Sequence, residues 1–424
     1  MVPGPNERRS FRLISIIVLL PLLWIHSLFG ANHPQSNDVQ PITGEPKVSI
    51  KIMDAAREIK YANSASYVIQ ATVQNGKIEE FFSISEIKII RDRDGLSVYD
   101  RDAGIIIEGA AHLCISEEES AGIASVNGDS YRGNIHIFPN KAGKTMKVIN
   151  QLGMESYLKG VIPSEMGKRQ PDELEALKAQ AVAARTYALE KLLRGGKSGV
   201  LENTILDMVY AGYDKEYELA NEAVDSTAGE VIMFDGNLIR AYFFSTCGGK
   251  TENIQDAWGE DPADYCVSIN DGDYCAWSKS YSWEDEFEIG LLRERIDSYF
   301  KDNVGIGIKG EIQDIKIITR SGSGRVNLLK VYTDEDQYEL KGDKIRWAIR
   351  SSANESRILP STLFEIKIEK DDFGNIESVK FVGKGNGHGI GMCQCGAIGR
   401  ARQGQSCREI VSTYYDGAYI IRVY

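Results

Sequence analysis

The chain has 424 residues, is 42% hydrophobic and 26% charged, and carries 61 acidic against 49 basic side chains for a net charge of -12. That length allows two or three domains, and the composition is that of a globular protein. The acidic balance excludes a general nucleic-acid binder, which carries a basic excess, and leaves neutral polymers such as glycans open.

Arg8, Arg9 and Arg12 precede the apolar run LISIIVLLPLLWI at 13–25. A positive start and a short apolar stretch describe a secretory signal. The run is shorter than the ~20 residues of a comfortable membrane span. Residues 1–31 therefore read as a signal peptide or a membrane anchor. Either delivers the body to the periplasm or cell envelope, secreted or membrane-anchored, with the arginines left behind. Residues 32–46, NHPQSNDVQPITGEP, read as a polar linker with three prolines. Short β-rich runs follow, KVSIKI, SYVIQATV, EIKIIRD and GIIIEGAAHLCI, with turn formers between them. They predict a small β-rich domain at 47–120, and GNIHIFP and KTMKVI continue the pattern to about 148.

The stretch GVIPSEMGKRQPDELEALKAQAVAARTYAL, 160–189, predicts a Ser-Glu-Met turn before a long helix. Pro171 suits a first helical position, and Asp172 and Glu173 suit the positive end of the dipole. Leu174, Leu177, Ala181, Ala184 and Ala188 form one apolar face, and Arg194, Gly195 and Gly196 mark the end. Glu165 stands among Val161, Ile162, Pro163 and Met166. Apolar flanks raise a carboxyl's pKa, which suits a general acid at a glycosidic oxygen. A routine surface glutamate is the plainer reading. Lys178, Arg185 and Tyr187 read as groups that orient polar substrate near Glu165, or as a solvated helix face.

Further on, GEVIMFDGNLIRAYFF predicts a hairpin around Asp235-Gly236. The next stretch, STCGGKTENIQDAW at 245–258, places Ser245 and Thr246 beside two glycines that let backbone approach a ligand. Cys247, Cys266 and Cys275 could hold a zinc with sulfurs at about 2.3 Å from one point, or two of them could form a disulfide. LLRERIDSYF, 291–300, predicts a short amphipathic helix, and CGAIGRARQG a final one. In GKGNGHGIGMCQCGAIGRA, 383–401, glycine recurs at every second position up to Gly391 around His388. The spacing is not that of a dinucleotide loop; the glycines imply strain or close contact with a ligand. His388 reads as structural or as substrate-facing, and Gln394 is counted with the substrate-facing residues. Hairpins mixed with a few helices predict an α+β fold, a mixed or antiparallel β-rich body with one long and one or two shorter helices. The Glu165 turn, the Ser245–Gly249 loop and the His388 loop are expected to line one groove.

ESYLKGVIPSEM, EALKAQAVAARTYAL, YFFSTCGGKTEN, RSGSGR, KIRWAIR, ILPSTLFEI and GNGHGIGMCQCGAIGRARQG resemble, in order, the SpoIID/LytB family of peptidoglycan enzymes. The resemblance assigns 121–424 to the catalytic region. It implies a lytic transglycosylase that cleaves between N-acetylmuramic acid and N-acetylglucosamine, prefers glycan strands stripped of peptide by an N-acetylmuramoyl-L-alanine amidase, and uses Glu165 as its acid. It also leaves a second function open, a non-catalytic wall-binding module that recruits or stimulates an amidase. Some members bind zinc through a histidine before the Ser-Thr pair and two cysteines beyond the glycines. Those positions are Phe244, Lys250 and Asp256 here, so Cys247, Cys266 and Cys275 would have to replace them.

Overall fold

The computed structural model describes residues 42–424, except 74, 75, 84, 85, 102, 118–121, 196–198, 205 and 206. The expected signal or anchor at 1–31, most of the linker at 32–46, and Gly196 lie outside the described residues. Among those described, no helix is long and apolar enough to cross a membrane.

Alternation of apolar and polar residues makes the N-terminal half a two-sheet body. Val48 and Ile50, Ile69 and Ala71, Leu113 and Ile115, and Ile135 and Ile137 are each fully buried at every second position. One face of each strand therefore points into a core. A seven-stranded sheet runs in the spatial order Val200–Glu202, Lys47–Ala56, Met146–Gly153, Asn134–Pro139, His112–Glu117, Tyr67–Thr72 and Ile78–Ser83. A six-stranded sheet, built from Glu58–Asn63 to Gly104–Ala110 and completed by Ala124–Val126 and Asp129–Tyr131, shares that core. Strands from both sides of residue 120 are woven into the same two sheets, because the apolar faces before and after it need each other as cover.

Eight helices are present among the described residues: α1 (Met154–Met166), α2 (Leu174–Arg194), α3 (Glu218–Ser226), α4 (Ile254–Trp258), α5 (Ile289–Val304), α6 (Lys344–Ile349), α7 (Gln394–Arg402) and α8 (Cys407–Tyr414). The fold is α+β and β-rich, with named strands paired antiparallel except in two short parallel contacts. The expected hairpin forms: Glu230–Phe234 pairs with Asn237–Leu238 through Asp235 and Gly236, both at positive φ (47° and 75°). The helix expected at 291–300 is α5, and the final one expected is α7. A second core lies under α5 and α6, where Phe287, Leu292, Leu329, Ile345 and Phe381 pack together.

Helix α2 is buried on more than the predicted stripe. Ala176, Ala179, Val182 and Ala183 are also fully covered, since small side chains let α1, α3, α7 and α8 approach from several directions. The Ser-Glu-Met segment is not a surface turn. It is the last turn of α1, closed by Gly167 at φ 65°, whose N–H donates to the Pro163 carbonyl at 2.9 Å.

Candidate active site

Helix α1 carries Glu165 to its C-terminal end. Tyr157, Leu158, Val161 and Ile162 anchor the helix in the first core. At Gly160 an added Cβ would stand 2.4 Å from Cε2 of Tyr210. Only glycine lets Tyr210 pack this close, and Tyr210 is fixed in turn by its hydroxyl donating to Asn150 Oδ1 at 2.8 Å. The neighbouring Val209 N–H then points at Glu165 and donates to Oε1 at 3.1 Å. Nε2 of Gln394, the first residue of α7, donates to Oε2 at 3.2 Å.

Burial pushes the Glu165 carboxyl above the ordinary glutamate range, against the opposing pull of these two hydrogen bonds. The C-terminal end of α1 adds to this, because the negative pole of a helix disfavours a carboxylate. Two other acids line the same cavity of about 550 Å³, Asp207 and Asp343. Asp207 is ion-paired to Lys191 and accepts from the Glu202 N–H at 2.8 Å. Asp343 pairs with Arg346 at 2.8 Å and accepts from the Trp347 indole at 3.2 Å. Glu165 has no cationic partner among the described residues.

The opposite wall is aromatic. Trp258 lies 4.9 Å from Tyr242 and 4.9 Å from His388 between ring centroids, and Trp347, from the second core's α6, completes the lining. Flat apolar rings with polar edges suit the faces of sugars.

The sequence-selected residues separate into two groups. Glu165, Tyr187, Ser245, His388 and Gln394 all line this cavity. Tyr187 donates to Asp207 Oδ1 at 3.3 Å. His388 is held as a neutral ring: Nε2 bonds the Phe243 carbonyl at 3.1 Å, and Nδ1 accepts from the Ile390 N–H at 3.0 Å. Burial pushes its pKa down to about 4, so it shapes the wall without charge.

The remainder are elsewhere. Lys178 pairs with Glu175 at 2.8 Å on α2 and does not line the cavity. Arg185 is fully buried, bidentate to Glu155 at 2.9 and 2.5 Å, and donates to the Glu230 carbonyl at 3.1 Å. A guanidinium spent this way has no donor left for substrate. Thr246 is fully buried, with its hydroxyl 3.2 Å from that of Ser278. Gly248 and Gly249 line a separate cavity of about 800 Å³. The alternating glycines at 385–391 pack closely against neighbouring protein: a Cβ on Gly391 would stand 2.1 Å from the Tyr242 carbonyl oxygen, and one on Gly387, which also lines the cavity, 2.7 Å from Phe244 Cβ. Gly385, Gly387 and Gly391 let this segment lie against residues 242–247.

Three thiols and a carboxylate cluster beside the cavity and could hold a metal ion: Cys247, Cys275, Cys393 and Asp271, all buried. Cys266, expected in such a cluster, is not in it. It is buried against Ile254, Ala257 and Ile390, and burial raises its thiol to about 12. The Phe244, Lys250 and Asp256 positions do not fit a metal: Phe244 offers no donor atom and Lys250 donates to the Gly322 carbonyl at 2.6 Å.

Sequence reasoning missed Asp207, Tyr242, Trp258, Asp343 and Trp347. Tyr242, Trp258 and Trp347 fell within recognised stretches, GEVIMFDGNLIRAYFF, STCGGKTENIQDAW and KIRWAIR, and Asp343 lies just before the last of them.

A carboxyl without a cationic partner, facing an aromatic wall, is a candidate acid catalyst. Residues 142–234 match the SpoIID model, described as Stage II sporulation protein, and 267–391 match a domain of unknown function, DUF8618. An uncharacterized protein of Brachyspira hyodysenteriae is 32% identical over 79% of this chain and 82% of its own. Stage II sporulation protein D of Bacillus amyloliquefaciens is 30% identical over 64% of this chain and 75% of its own. The amidase enhancer of Bacillus subtilis is 28% identical over 69% of this chain and 44% of its own. The chain belongs to the SpoIID family.

Proposed function

We propose that this protein acts on the bacterial cell wall as an exported lytic transglycosylase, cutting the glycan between N-acetylmuramic acid and N-acetylglucosamine. The observation that carries this is the isolation of Glu165. Its proton is favoured by burial, while Asp207 and Asp343 are tied to Lys191 and Arg346. In this reading protonated Glu165 donates to the glycosidic oxygen as the C1–O bond breaks. The C6 hydroxyl of the same muramic residue then attacks C1, and Glu165 takes that hydroxyl's proton. A 1,6-anhydro end forms and the acid is regenerated. An inverting or retaining hydrolase needs two carboxyl groups in complementary roles; this route needs one. Any zinc bound in this reading is structural. The N-terminal segment serves as signal or membrane anchor, and an N-acetylmuramoyl-L-alanine amidase supplies peptide-stripped strands.

A second reading is favoured by the likeness to an amidase enhancer: a wall-binding module that stimulates an amidase without cutting. Incubating the purified protein with peptide-stripped strands and with intact peptidoglycan separates the two. Soluble fragments from stripped strands support the enzyme. No fragments, with faster release of stem peptides when amidase is added, supports the module.

The pH dependence follows from the hydrogen bonds. Cleavage requires protonated Glu165, so the rate falls as pH rises through its raised pKa. The Gln394 amide stabilises the charged form and lowers that pKa. Gln394→Ala is expected to move the alkaline limb of the pH–rate profile upward. A limb that moves down, or does not move, contradicts the role given to this bond.

A further inference from the structure

Four buried groups that take no part in the proposed proton transfers converge beside α7. The sulfurs of Cys247, Cys275 and Cys393 and a carboxylate oxygen of Asp271 lie within 4.8 Å of one another. We infer that these four form a closed zinc site that fastens the 247–249 loop and the 271–275 loop to the start of α7, and so holds Gln394 in place. The positioning of Gln394 matters only under the lytic reading; the metal site itself does not depend on it.

The donor set is the first ground. Three thiolates and a carboxylate fill a tetrahedral zinc, and sulfur at about 2.3 Å places ligand atoms roughly 3.7 Å apart, a spacing the cluster can accept. Full burial leaves no open position, as in structural and not catalytic sites.

The surroundings are the second ground. Oδ1 of Asp271 accepts from the Tyr414 hydroxyl at 2.8 Å and from Nη2 of Arg400 at 2.8 Å. That leaves Oδ2 for the sulfurs, 3.1 Å from Cys247 Sγ. Outer partners that orient a ligand in this way are typical of metal sites. Backbone N–H groups point at the sulfurs: Cys247 and Gly396 each donate to Cys393 Sγ at 3.2 Å, and Gly249 to Cys247 Sγ at 3.3 Å. They favour the thiolate form. Four anionic ligands around a divalent ion leave two negative charges in excess. Two buried guanidinium groups answer them, Arg400 on Asp271 and Arg325, which donates to the Cys247 carbonyl at 2.8 Å. Cys266, in its apolar pocket, has no such company.

The competing outcome in an oxidising compartment is a disulfide between Cys247 and Cys275, whose sulfurs are 3.3 Å apart. Metal analysis of the purified full chain distinguishes them. The expected result is one zinc per chain, lost in Cys393→Ser and retained in Cys266→Ser. Cobalt loaded in its place should show intense thiolate charge-transfer absorption that Cys393→Ser loses. Tyr414→Phe, which removes one hydrogen bond to Asp271 and keeps the ring, should weaken zinc about 10-fold or more in chelator competition. If Cys393→Ser does not fold, the parent and Tyr414→Phe still decide. A parent without zinc that does not take up cobalt overturns the site, as does an intact mass showing the Cys247–Cys275 disulfide. Since metal content is read without any cleavage assay, its failure is distinct from failure of the lytic reading.

Discussion

Glu165→Gln is expected to abolish strand cleavage and to leave glycan binding in place. The amide keeps the shape and removes the proton. General acid–base catalysis typically contributes about 10²–10⁴-fold, and one group serves both transfers here, so the loss should reach the upper end of that range. In the proposed reading binding rests on the wall of Tyr242, Trp258 and Trp347, which the substitution does not touch. The fold should gain. A carboxyl whose pKa is raised by folding costs stability as pH rises through that pKa, and the neutral amide carries no such cost. The variant should therefore unfold at a higher temperature than the parent at pH 7, with the difference vanishing in acid where both side chains are neutral. A variant that cleaves as well as the parent removes Glu165 from the mechanism.

Arg185→Met should be the most damaging single change to stability. Its guanidinium is fully buried and bound to Glu155 and to the Glu230 and Val224 carbonyls. Removing it strands Glu155 beside its remaining partners, the Gly229 N–H and the Tyr424 hydroxyl. Breaking a buried pair from one side costs about 3–5 kcal/mol. Thermal or urea unfolding measures this directly. Lys178→Ala, by contrast, breaks only a partly exposed pair with Glu175, of the kind worth about 0–1 kcal/mol. Equal, small effects of the two would contradict the placement of Arg185.

What the sequence reveals here follows from the range of each signal. Local ones are legible: the alternation in KVSIKI, the Asp235-Gly236 hairpin and the alanine face of α2 each depend on neighbours in the chain. The acid at 165 is legible because its apolar flanks announce desolvation. Long-range signals are not. Arg185 and Lys178 sit on the same stripe of α2, yet one faces Glu155 and the other Glu175, and only tertiary packing decides which is buried. Cys266 and Cys393 differ in the same way. Cys266 is nearer in sequence to Cys247 and Cys275, but the parallel pairing of Phe243–Phe244 with Met392–Cys393 brings in Cys393 from about 120 residues further on. The glycines of 383–391 did signal close approach; that their partners are Trp283, Thr246, Phe244, Arg325 and Tyr242 in turn is a fact of the fold.

The central claim, one carboxyl and an intramolecular nucleophile, is tested most directly by cleaving peptide-stripped strands in water enriched in oxygen-18 and weighing the new muramic ends. A lytic transglycosylase gives 1,6-anhydro ends, one water (about 18 mass units) lighter than hydrolysis products, with no label, because the attacking oxygen comes from the substrate. Ordinary reducing ends formed with one labelled oxygen would show that water is the nucleophile, and would make Asp207 or Asp343 the second carboxylate of a hydrolase.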